Sequence, residues 1–134
     1  MPTPNPPRAT ITMDDVRAVS PALAQFTQDV IVGQLWQRAT LSARERSMVT
    51  LAALIACNQP LGLPHYVNLA LEHGVAPGEI SEIVTHLAFY AGWPNAFSAV
   101  MALKDIFAQR GIVFDPLPPA AFALAAGTVA GFGE

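Results

Sequence analysis

Glu82, His86 and Tyr90 stand four residues apart in the segment EISEIVTHLAFYAGWP. On a helix that spacing sets a carboxylate, an imidazole and a phenol along one stripe. Ile80, Ile83, Val84 and Leu87 supply an apolar side next to it. An imidazole beside a carboxylate is suited to proton transfer near neutral pH. The same stripe also suits a histidine held in a core or interface, with Glu82 and Tyr90 in structural roles. The residues alone leave both readings open.

A second cluster is Arg44-Glu45-Arg46. A guanidinium grips a carboxylate through two parallel hydrogen bonds, so Arg44 or Arg46 can hold an organic acid. The alternative is an ion pair within the helix or between subunits. His65-Tyr66 forms a third group, at the start of a helix after a glycine-containing loop, where backbone N–H groups favour anions. His65, His73 and His86 lack zinc-ligand spacing, so no metal site is expected. Cys57 is the one cysteine, which excludes an internal disulfide or a two-cysteine redox centre within one chain. It follows an apolar run and reads as a buried, inert thiol.

Helices must position these groups, because strand signals are nearly absent. Ser20-Pro21 is a cap followed by proline at the first helical position, opening a helix to about Trp36. Ser42-Ala43-Arg44-Glu45 is a capping box that starts a helix from 43 to about 57. From Met48 to Cys57 that helix is apolar all round apart from Thr50, which predicts burial on every side, partly by other subunits. Asn58 to Gly62 breaks the chain. A helix from about Leu63 to His73 follows, stopped by Gly74. Pro77 starts the helix that carries His86, and Gly92-Trp93-Pro94 ends it. The last runs from Pro94 to about Gln109. The short link at 74–77 predicts that the helices on either side of it are antiparallel neighbours. That would let His65 approach His86 and Tyr90.

A chain of 134 residues is one domain. Residues 1–12 read as a proline-rich arm, 13–111 as the helical domain and 112–134 as an apolar tail, packed on a neighbour or frayed. Hydrophobic residues make up 52% and charged residues only 13%, well under the usual quarter or so. So little charge to cover the surface predicts an oligomer. A net charge of −3 and a single lysine, Lys104, argue against nucleic acid and anionic membrane surfaces. No apolar run reaches the roughly 20 residues of a membrane-spanning helix, and no secretory signal is visible. A soluble, cytoplasmic protein is expected.

The segments LWQRATLSARERSMVTLAALIACNQP (35–60) and ALEHGVAPGEISEIVTHLAFYAGWPNAFSAV (70–100) resemble the carboxymuconolactone decarboxylase family. That family is part of the alkyl-hydroperoxidase-D-like superfamily, and the resemblance covers about residues 20–110. It implies an all-α bundle of about five to six helices, a trimer or hexamer with sites near subunit contacts, and a role in aromatic catabolism. The peroxidase branch carries a Cys-x-x-Cys pair where this chain reads LGLPHYV. The decarboxylase branch has Glu or Gln in that loop and His four residues later. Here those positions are Gly62 and Tyr66, and the histidine stands one place early at His65, about 100° around the helix.

The resemblance implies loss of CO2 from a small carboxylated lactone or unsaturated acid, with no metal or organic cofactor. Such a reaction needs a cation for the carboxylate, a donor for the developing enolate and an acid to protonate carbon. Arg44 or Arg46 would hold the acid, His86 or His65 would deliver the proton, and Tyr66 or Tyr90 would donate to the oxyanion. Glu82 would orient His86. Gly62 and Tyr66 support an alternative, a family member that binds small acids as an accessory oligomer. Thiol peroxidase activity ranks below both.

Overall fold

The computed structural model describes residues 11–113. The expected arm up to residue 10 and the tail from 114 onward lie outside them. The described residues form six α-helices and no strand: α1 (Met13–Val19), α2 (Pro21–Phe26), α3 (Ala43–Ala56), α4 (Leu63–Glu72), α5 (Pro77–Ala91) and α6 (Trp93–Gln109). No helix among them is long and apolar enough to cross a membrane.

The caps explain where the helices begin. In α3 the Ser42 Oγ accepts from the Glu45 N–H at 3.1 Å, and the Glu45 carboxylate accepts from the Ser42 N–H at 3.0 Å. Both donors would otherwise be unpaired in the first turn. Thr12 and Asp15 make the same reciprocal pair ahead of α1. In α5 only the acidic half exists, with the Glu79 carboxylate accepting from the Ala76 N–H at 2.9 Å. Between α5 and α6 the chain turns at Gly92, with φ 101° and ψ 144°. That region is essentially closed to residues with a side chain.

Helices α3 to α6 share one core. Leu51 and Ile55, Leu63 and Val67, and Ile80 and Val84 recur at i, i+4 on their helices, and α6 adds Leu103, Ile106 and Phe107. Each such side chain stabilises the fold by about 1.5–3 kcal/mol when buried.

Two expectations change here. The segment expected as one helix to Trp36 divides after Phe26 into a π-helical stretch, Thr27–Val32, and a 3-10 turn, Leu35–Gln37. And α4 and α5 are not principal packing partners. Each packs on α3 and on α6 instead. The link between them is short, but the apolar stripes of both helices point at α3 and α6, and burial decides the arrangement. In α3, one stripe, Ser47, Leu51 and Ile55, is buried within the chain, while Val49 is 59% exposed.

Candidate functional site

A cavity of about 810 Å³ opens between α1, the π-helical stretch, the 3-10 turn and α4. Small-molecule sites span roughly 300–1,000 Å³. Its apolar wall includes Met13, Val16, Ile31, Val32 and Leu69, and its polar groups include Thr27, Gln28, Gln37 and Asn68. Four ring side chains complete it: Trp36, His65, Tyr66 and His73.

The rings are set by local sequence. Pro64 fits the first turn of α4, where no N–H is needed, and His65 and Tyr66 follow it there. Seven residues are close to two helical turns, so His73 at the end of α4 lies on the side of Tyr66. The Trp36 ring reaches both, with centroids 6.2 Å from Tyr66 and 6.3 Å from His73 and interplanar angles of 22° and 26°. His65 meets Tyr66 edge-on at 4.9 Å. A half-buried Trp36 therefore stands over the Tyr66–His73 side of α4, with Tyr66 half-buried and both His65 and His73 exposed.

The π-helical stretch supplies Thr27, Gln28, Ile31 and Val32 to the cavity. Its wider turn is closed by the Gly33 N–H, which donates to the Gln28 carbonyl five residues back at 3.0 Å. A Cβ on Gly33 would lie 2.7 Å from the Asp29 carbonyl oxygen, so the tight exit requires glycine. Single π-helical turns in α-helices are frequent at functional sites.

Of the residues singled out from sequence, His65 and Tyr66 line this cavity, while His86, Glu82, Tyr90, Arg44 and Arg46 do not. His86 and Tyr90 do meet each other, stacked at 4.8 Å and 22° on the exposed side of α5, with Glu82 exposed one turn earlier. The diagonal placement of α4 and α5 keeps this pair from joining His65 within one chain. Arg44 donates from Nη2 to the Glu79 carboxylate and from Nε to the Gly74 carbonyl at 3.4 Å. Arg46 Nη2 donates to the Arg38 carbonyl at 3.1 Å, and its Nε is buried with no hydrogen-bond partner among the described residues. Cys57, expected to be buried, is exposed, because α3 ends just before it and its core stripe ends at Ile55.

Sequence reasoning missed Trp36, His73 and Gln28. The seven-residue spacing of Tyr66 and His73 was a usable signal. Trp36 and Gln28 gave none, because they sit where the helix leaves α geometry.

The family model for the carboxymuconolactone decarboxylase family matches residues 21–105. The chain belongs to this family. Among curated relatives it is 31% identical over 80 residues to a 4-carboxymuconolactone decarboxylase of Acinetobacter baylyi, covering 60% of each chain. It is 36% identical over 72 residues to a nitrosuccinic acid decarboxylase of Metarhizium robertsii, covering 54% of this chain and 50% of that one. The chain thus spans half to three-fifths of the length of these relatives. In this member of the carboxymuconolactone decarboxylase family, the loop position Gly62 borders the cavity. A Cβ there would meet only Leu54 methyl groups at 3.6 and 3.7 Å, an ordinary contact. The absence of a side chain at 62 is therefore not forced by packing at that atom.

Proposed function

We propose that the chain is a cofactor-independent decarboxylase, or catalyses a related proton transfer, on a small carboxylated lactone or unsaturated acid bound in the α1–α4 cavity. The observation that carries this reading is the meeting of His65, Tyr66 and His73 in one cavity of small-molecule size, in a chain whose relatives are decarboxylases by name.

In the proposed reaction the bond from the carboxylate carbon breaks and CO2 leaves. Its electron pair moves into the conjugated carbonyl, which becomes an enolate. The enolate carbon then takes a proton, so each turnover consumes one. His65 is the proton donor, on the first turn of a rigid helix. Tyr66 donates its O–H to the enolate oxygen, where charge develops. The lactone or conjugated carbonyl is the electron sink. Gln28 and His73 are the groups available to the departing carboxylate. Arg44 is committed to Glu79, so it does not serve this cavity within one chain.

The protein is proposed to work as a trimer or hexamer. Phe89, Tyr90, Phe97 and Met101 form an exposed ledge on α5 and α6. His86 and Glu82 share α5 with that ledge, so a neighbouring copy rather than the cavity is their expected partner. A second reading, a small-acid-binding accessory oligomer without turnover, draws support from Gly62 and Tyr66 at the loop positions described above.

The test is CO2 release from lactone and unsaturated acids. His65→Asn and Tyr66→Phe should each lower turnover at least ~10-fold, about 1.4 kcal/mol, with unchanged assembly. Acid binding without CO2 release from any of them would favour the second reading.

A further inference from the structure

The 3-10 turn Leu35–Gln37 brings Trp36 and Gln37 into the cavity wall, yet it has little of its own to hold it there. It is three residues long, and none of them is buried. Two backbone bonds close it, from the Gln37 N–H to the Gln34 carbonyl at 3.1 Å and from the Arg38 N–H to the Leu35 carbonyl at 3.2 Å. Bonds of this spacing have poorer geometry than those of an α-helix. Gln37 Nε2 also donates to the Val32 carbonyl at 3.3 Å. That bond ties the turn to the π-helical stretch, not to the core.

The tie to the core comes from α3. Arg46 Nη2 donates to the carbonyl of Arg38, the residue that ends the turn, at 3.1 Å. Among the described residues it is the hydrogen bond that joins residues 27–38 to helices α3–α6. A cationic donor makes a stronger bond than a neutral one, and a guanidinium does not lose its proton. The Arg46 side chain is half-buried, and its Nε is buried with no partner among the described residues. An unpaired buried donor is a cost, so this guanidinium is not a surface group resting on the nearest carbonyl. Its helix is fixed independently, by the Ser42–Glu45 cap and by Leu51 and Ile55 in the core.

We propose that Arg46 is a positioning residue, which through the Arg38 carbonyl holds the 3-10 turn against α3 and so sets the Trp36 ring beside Tyr66 and His73. Arg46 itself does not line the cavity. It acts through Trp36, whose centroid lies 6.2 Å from Tyr66 and 6.3 Å from His73. A wall fixed in this way has its shape before a ligand arrives, which lowers the ordering cost of binding. The consequence for binding rests on reading the cavity as the substrate site. The placement of Trp36 does not.

The test reads Trp36 directly. The chain has two tryptophans, so Trp93→Phe leaves the Trp36 indole as the one tryptophan emitter. In that background Arg46→Met keeps the buried stem and removes the donors. Helix content should hold, while Trp36 emission should shift to longer wavelength and quench more readily with acrylamide. Arg46→Lys restores a cationic donor for the single carbonyl and should return most of the starting signal. Arg44→Ala, which breaks the contact with Glu79 instead, should leave the signal unchanged. In isothermal titration with trans,trans-muconate, Arg46→Met should bind at least ~10-fold more weakly and Arg44→Ala like the starting chain. Unchanged Trp36 emission in a folded Arg46→Met would overturn the proposal, as would an equal shift in Arg44→Ala. So would muconate affinity that stays the same when the emission has moved. Arg46→Ala supplies the same comparisons if the methionine variant does not fold. A starting chain that binds no muconate would count against the cavity as the substrate site, and the emission alone would then decide how Trp36 is held.

Discussion

Arg44, in the first turn of α3, donates to the carboxylate of Glu79, in the first turn of α5. Glu79 simultaneously accepts from the Ala76 N–H at the start of its own helix. One carboxylate thus caps α5 and pins it to α3. The Ala76 hydrogen bond and then the Arg44 guanidinium hold its pKa below the ordinary 4.5. Glu45 is lowered as well, by Ser42 first and then by its arginine neighbours.

A pH dependence follows from the sign of these shifts. A carboxylate whose folded pKa is depressed stabilises the fold above its ordinary value, and the contribution disappears as pH falls through the folded value. Thermal unfolding followed by circular dichroism from about pH 6 to about pH 3 should show the melting temperature falling once pH drops below 4.5. Glu79→Gln should melt lower than wild type at the upper end and lose part of that slope. An unchanged slope in the variant would mean that Glu79 contributes nothing to acid sensitivity.

Gly33 should resist substitution although it is exposed. An alanine Cβ would press on the Asp29 backbone oxygen, which cannot rotate away as a side chain would. Crowding of this kind costs about 1–3 kcal/mol. Gly33→Ala should show that loss in urea unfolding. It should also reduce ligand binding in the cavity, because relief requires shifting Gln28 to Val32. A stable variant with unaltered binding would show that the π-helical turn is not needed.

Much of this fold was legible because its signals are local. Ser42 and Glu45 mark the start of α3 by direct hydrogen bonds, and Gly92 marks a turn that only glycine adopts with ease. The division at Phe26 was not legible, since Leu23, Phe26, Val30 and Ile31 continue a helical apolar pattern through a change in hydrogen-bond register. Nor was the diagonal placement of α4 and α5. Link length limits how far two helices can separate, but their apolar stripes choose the partners. For the candidate site, His65 and Tyr66 were readable from their place after a glycine loop. His73 follows Tyr66 by two turns of the same helix, a signal the sequence does carry, whereas Trp36 joins them only through tertiary packing.

Gly62 offers a gain-of-function test. The loop has room for a Cβ at this position, and φ of −85° is open to any residue. Gly62→Gln would return the amide that the family's decarboxylase branch carries in this loop, at the rim of the cavity. The variant should fold with a melting temperature close to wild type. It should raise CO2 release from lactone or unsaturated acids by ~10-fold, about 1.4 kcal/mol of barrier. No gain in a folded variant would mean that Tyr66 and His65 have moved the chemistry away from the loop.

Assembly gives the last prediction. Val19 is 87%, Phe89 73% and Met101 67% exposed in the single chain. Phe89 meets Trp93 edge-on at 5.1 Å, which joins the end of α5 to the start of α6 in one apolar surface with Phe97. Scattered exposed hydrophobics need no explanation, but contiguous ones mark contact surfaces. With little charge to keep the chain apart from its copies, a stable trimer or hexamer is expected in sedimentation velocity at micromolar concentration. Phe89→Asp and Met101→Glu place charges on the ledge and should shift the distribution toward smaller species. Helix content should hold, since both side chains lie outside the α3–α6 core. A wild-type chain that sediments as a folded monomer would remove the assembly. Variants that keep the full oligomer would place its contacts elsewhere, with the α1–α2 face around Val19 and Phe26 as the next surface to charge.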